Sequence, residues 1–176
     1  ETTALLTVIG ELLVSDVERQ RRCRDGLAKR HEHLPRWIVA LPEIDVYRAV
    51  RIAHVLGDTD EIVIGARING VHELAVSVLI DHTAAFAATD AGVLPMRIAE
   101  GIASVTDSDA RIVEMTPADA RAWLEEATAP LPGLGDHVVR QTEGWPLWRE
   151  LVRWLVTRMP EGGEGRTPAL DDDDIY

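Results

Sequence analysis

Cysteine is almost absent from this 176-residue chain, with Cys23 the only one. A lone thiol excludes an intramolecular disulfide and any multi-cysteine zinc or iron–sulfur site. Positive charge is also scarce. The net charge is −12 and Lys29 is the only lysine, a balance that opposes binding to nucleic acid and to anionic membranes. No apolar run approaches the roughly 20 residues that span a bilayer. The opening residues, ETTALLTVIGELL, lack the basic start and small-residue cleavage site of a signal peptide, and the single cysteine suits a reducing, cytoplasmic setting. Catalytic signatures are missing too. No GxSxG, GxxxxGK[ST] or HExxH occurs, nor a GxGxxG following a strand, and no cofactor is expected.

What is present is a hairpin. EIVIGARI and VHELAVSVLID meet at Asn69-Gly70, and Asn-Gly between alternating apolar residues is a strong short-range hairpin signal. A two-residue turn would place Ile64 opposite Ala75 and Ile62 opposite Ser77, splitting the apolar set. A three-residue loop, Ile68-Asn69-Gly70, places Ile64 opposite Leu74, Ile62 opposite Val76 and Ala66 opposite His72. That register makes one coherent buried face, which Val78, Ile80 and His82 continue, and is the expected one. Glu73, Ser77 and Asp81 fall on the other, partly solvated face. Ala84–Val93 and Arg111–Met115 read as further strands.

Around the hairpin the pattern is helical. Apolar spacing predicts helices over Thr2–Val14, Glu43–Leu56, Pro95–Val105 and Trp145–Met159. Ser15 with Glu18 forms a capping-box pattern that opens an arginine-rich helix to about Arg30. Thr116-Pro117 caps and starts another, through Ala127. The prediction is an α+β fold: a small antiparallel sheet built on the hairpin at about 61–82, covered by several helices. Residues 1–160 form the single domain. Residues 161–176, glycine-rich and then acidic at Asp171–Asp174, read as a flexible tail or a linker to a missing C-terminal region.

The hairpin ending VSVLIDH, the helix TPADARAWLEEA, and a Trp-Pro helix closing in MPEGG before LDDDD together resemble a family of uncharacterised actinobacterial proteins. No activity is assigned to that family, so the resemblance carries over no functional residue. It implies a bacterial, cytoplasmic protein whose chain continues past Tyr176. In those relatives the strand-end Asp-His is followed by a segment like KDAFAVP, where this chain has ATDAGVLP.

Two sets of residues are candidates for function. Asp58 and Asp60 precede one strand while Asp81 and His82 close its partner, so antiparallel pairing gathers carboxylates and an imidazole at one end of the hairpin. Such a set suits a divalent metal or general acid–base chemistry, although strand ends are also where aspartates routinely cap turns. His72 cannot join it, because ten residues of strand separate it from His82 by about 33 Å. The second set is Trp148 and Trp154. They stand some 240° apart on one helix, at about 100° per residue, so one of them is expected to face outward as an interface anchor. Other features read as scaffold. His31 and His33 are two residues apart, which separates their rings on a helix. Cys23, among arginines, reads as a packing residue, and Arg19–Arg36 as a solvated, salt-bridged face. The leading reading is a non-catalytic interaction or regulatory domain whose partner is a protein, either a second copy or another chain. A ligand-binding domain or enzyme built on the Asp/His set is the alternative.

Overall fold

A computed structural model of the chain describes residues 2–105, 109–130 and 141–166. Five strands form one antiparallel sheet in the order β4-β3-β2-β1-β5. The strands are β1 (Asp45–His54), β2 (Thr59–Ile68), β3 (His72–Asp81), β4 (Ala87–Leu94) and β5 (Ala110–Met115). Among the described residues the helices are α1 (Thr2–Leu12), α2 (Val17–Ala28), α3 (Arg36–Val39), α4 (Ile98–Ala103), α5 (Pro117–Thr128) and α6 (Trp145–Val156). The predicted α+β architecture is therefore present, with a larger sheet than the hairpin alone suggests.

The inner face of the sheet carries the main core. Ile62, Ile64, Val76, Val78 and Ile80 are fully buried there, against Leu124 of α5 and Val152, Trp154 and Leu155 of α6. Burying a side chain of this size stabilises by roughly 1.5–3 kcal/mol, so this layer dominates the fold. The outer face is covered over only part of its area. Ile98 of α4 packs there on Val50, Val63 and Ala75. Gly65 makes that seat possible, since a Cβ on it would lie 2.8 Å from Ile98 Cγ2 and 3.1 Å from the Tyr47 ring.

Several local expectations are corrected. Glu43–Leu56 is not a helix: a short 3-10 turn at Leu41–Glu43 leads into β1. Ala49 and Val50 are both completely buried, because β1 lies inside the sheet with layers on both faces. A bulge between Val46 and Arg48 also interrupts the alternation. Double burial and a bulge together make a strand imitate helical spacing.

The hairpin register also differs. Ile64 pairs with Val76, Ile62 with Val78 and Ile68 with His72. Asn69 and Gly70 both have positive φ, 53° and 65°, and Val71 N–H donates to the Ile68 carbonyl at 3.2 Å. The turn itself is therefore of the primed kind that suits strand twist, and Val71 is the extra residue. The shift of two residues preserves the predicted buried face, because strand alternation has period two.

Asp16 rather than Ser15 caps α2, accepting from Arg19 N–H at 2.9 Å; the Ser15 hydroxyl instead donates to Glu150. Thr116 does cap α5, accepting from Asp119 N–H. Residues 161–166 run back along α5, where Asp119 accepts from Glu164 N–H at 2.7 Å. The acidic run Asp171–Asp174 and most of the 130–135 break lie outside the described residues.

Candidate functional site

The antiparallel pairing of β2 and β3 brings the predicted strand ends together, but strand alternation divides the residues on them. Asp60 and His82 point to the inner face and Asp81 to the outer one, where its Cα partner is Thr59. His82 Nε2 lies 2.9 Å from Asp60 Oδ2, and Arg51 Nη1 reaches the same oxygen at 3.4 Å. Asp60 is only 5 % exposed, and its carboxyl group has two hydrogen-bonding partners, as a buried polar group requires. Aromatic rings close the cluster. His82 meets Phe86 edge-on at 5.3 Å, Phe86 meets Trp123 at 5.4 Å, and Arg51 lies 4.7 Å over the Trp123 ring. Arg166 covers Phe86 from outside at 4.5 Å.

The turn feeding this cluster is strained. Ala85 and Phe86 have φ of 56° and 57°, a region that costs a non-glycine residue roughly 1–2 kcal/mol. The Asp81 carboxylate braces the turn, accepting from Thr83 N–H, Thr83 Oγ1–H and Ala84 N–H. The Thr83 hydroxyl bond, ahead of the backbone bonds, holds the Asp81 carboxyl below its ordinary value. Asp58 stands apart near His54, whose Nδ1 is 3.8 Å away, too far for a hydrogen bond. Asp58, Asp60, Asp81 and His82 thus do not converge on one point. Among the described residues no group of three or more His, Cys, Asp or Glu side chains is arranged to hold a metal ion. The Asp60–His82–Arg51 cluster ties β1, β2 and the end of β3 to α5 through the Trp123 ring.

Neither Trp148 nor Trp154 is exposed, so the expected outward-facing anchor is not found on this helix. Trp154 is 1 % exposed and donates from Nε1 to Glu11 at 3.1 Å, which places it inside the fold. Trp148 is half-buried against the main core. Trp145, at 2 % exposure, is a further core ring.

Sequence reasoning did not find a surface on the outer face of the sheet. Beyond the cover of α4, Ile52 and Ile112 are direct Cα partners, and Leu79 follows in the same row across Glu61. Leu79 and Ile112 are each 39 % exposed, and Val55 and Leu56, in the turn after β1, are 65 % and 77 % exposed. Ile52 and Leu79 of this row, with Val105, His54, Thr59 and Glu61, line a concavity of about 220 Å³. The signal available in the sequence was Val55-Leu56 beside an Asp-rich turn, which is conspicuous only once β1 is recognised as a strand.

No helix of the described residues is long and apolar enough to cross a membrane. No protein-family model, curated protein or solved structure matches the chain.

Proposed function

We propose that this chain is a non-catalytic interaction domain of a larger bacterial cytoplasmic protein. One observation carries the reading: among the described residues, Leu79 and Ile112 are exposed on the outer sheet face beside the partly buried Ile52, with Val55 and Leu56 exposed in the turn after β1. Clustered exposed aliphatic groups of this kind mark contact surfaces more often than reaction centres. The inner cluster supports the same reading. The Asp60 carboxylate is satisfied by His82 and Arg51 and braced by aromatic rings, an arrangement that suits rigidity more than turnover. Tryptophan does not anchor this interface, since Trp154 is internal and Trp148 half-covered.

The test is quantitative capture of partners by the tagged chain and by a Leu56→Ser/Leu79→Ser variant of equal melting temperature. A protein retained stoichiometrically by the parent and lost from the variant supports the reading. Retention unchanged in the variant removes this face from consideration.

A further inference from the structure

The concavity on the outer face is lined by the apolar Ile52, Leu79 and Val105 together with Glu61, and further carboxylates stand beside it. Glu61 lines it directly, and among the described residues no lysine or arginine does. Asp58 adjoins the lining residue Thr59 and is half-exposed, with its carboxylate 3.8 Å from His54. Asp81 is the Cα partner of Thr59 and shares its face by alternation. One imidazole, His54, lines the concavity beside Asp58, and two neighbouring arginines are committed or turned away. Arg48 is bound to Glu114, and Arg111, next to the lining residue Ala110, alternates to the inner face opposite Ala53. Glu61 is fixed in place by a hydrogen bond from the Ser77 hydroxyl.

Size narrows the occupant. At about 220 Å³ the concavity falls below the roughly 300–1,000 Å³ of small-molecule and cofactor pockets. It is the scale of one aliphatic side chain, with the exposed Val55 and Leu56 offering contact to a neighbour. We infer that the outer face binds a protein segment that presents a leucine-like side chain flanked by arginine or lysine. This inference rests on the interaction reading above and adds the chemistry of the partner. The aliphatic group seats on Ile52, Leu79 and Val105, and the flanking cations lie against Glu61, Asp58 and Asp81. Rim charges of this sort contribute to approach and selectivity more than to total affinity.

The experiment is a titration of the isotope-labelled chain with acetyl-RLRLR-amide and with acetyl-ELELE-amide, followed by NMR. Saturable shifts at Ile52, Leu79 and Ile112 with the basic peptide alone are the expected result. Glu61→Gln keeps the hydrogen bond to Ser77 and should weaken that binding about 2–5-fold, as should Asp58→Asn, with the loss fading at high salt. Equal response to both peptides overturns the inference while leaving the interaction reading standing. Absence of any response at millimolar peptide also overturns it, and partner capture then decides the broader reading separately. Shifts that grow with protein concentration before peptide is added assign the face to a second copy of this chain, which likewise overturns it.

Discussion

His82 Nε2 sits 2.9 Å from Asp60 Oδ2 at the closing end of the hairpin, with Arg51 on the same oxygen. The pair ties the end of β3 to the start of β2. Asp60→Ala is expected to destabilise the chain by about 1–3 kcal/mol, and His82→Ala by a similar amount, because Asp60 is then left with a single partner. A double-mutant cycle by urea denaturation should show a coupling of at least about 0.5 kcal/mol. Strict additivity would mean that the pair is incidental.

The strained turn makes an opposite prediction. Ala85 has φ of 56°, so Ala85→Gly relieves strain in the folded state while loosening the unfolded chain. Relief of roughly 1–2 kcal/mol exceeds the entropic cost of roughly 0.4–1 kcal/mol, and a small net stabilisation is expected. Phe86→Gly, at an equally positive φ, should instead cost several kcal/mol, about 3–5 by comparison with other buried phenylalanines. Denaturation midpoints of the two variants moving in opposite directions would establish that the Phe86 ring holds the turn.

Gly65→Ala should destabilise by about 1–3 kcal/mol, because its new Cβ meets Ile98 Cγ2 at 2.8 Å. Ile98→Ala in the same chain removes the obstructing methyl. The double variant should therefore be more stable than the sum of the two single effects implies, as read by thermal unfolding.

Acidity enters through Asp81. Its carboxyl is held below the ordinary value, first by the Thr83 hydroxyl and then by the Thr83 and Ala84 N–H groups. A depressed carboxylate contributes stability above the unfolded-state value and loses it as pH falls through the folded-state value. Thr83→Val removes the leading cause, so the Asp81 titration measured by carboxyl NMR should move upward toward the usual aspartate range. The stability that Asp81 contributes above the unfolded-state value should accordingly shrink, and its loss on acidification should be complete at a higher pH. An unmoved titration would mean that the backbone bonds alone hold the carboxylate.

β2 and β3 are legible in the sequence because Asn69-Gly70 marks their hairpin, whereas β1 is not. β3 alternates from Leu74 to Ile80, and its buried face follows from that alternation even with the register displaced by two. β1 carries Ala49 and Val50 side by side, both buried, and a bulge at Tyr47, so its pattern mimics a helix. β4 is alanine-rich because Ala88 and Ala91 lie under α5 and α6, where small side chains let helices approach. Its composition argues against a strand, yet its place after the hairpin makes Ala84–Val93 legible as one. The gathering of Asp60 and His82 follows from antiparallel pairing alone. Their separation from Asp81 follows from alternation. The recruitment of Arg51 and Trp123 does not, because those contacts depend on β1 being a strand and on where α5 lands. The outer apolar row is hidden for the same reason, since two of its members, Ile52 and Ile112, meet only when β1 and β5 pair.

Partner retention by two variants, compared at a temperature where both are folded, separates the two faces of the sheet. Leu56→Ser/Leu79→Ser alters the outer face, and Asp60→Asn/His82→Phe alters the inner cluster. If the outer face is the contact surface, the first variant loses its partner at unchanged stability, while the second melts earlier and keeps it. The reverse pattern, with the outer-face variant binding as before and the inner-cluster variant failing to bind while folded, would contradict the interaction reading and return function to the Asp60–His82 end of the hairpin.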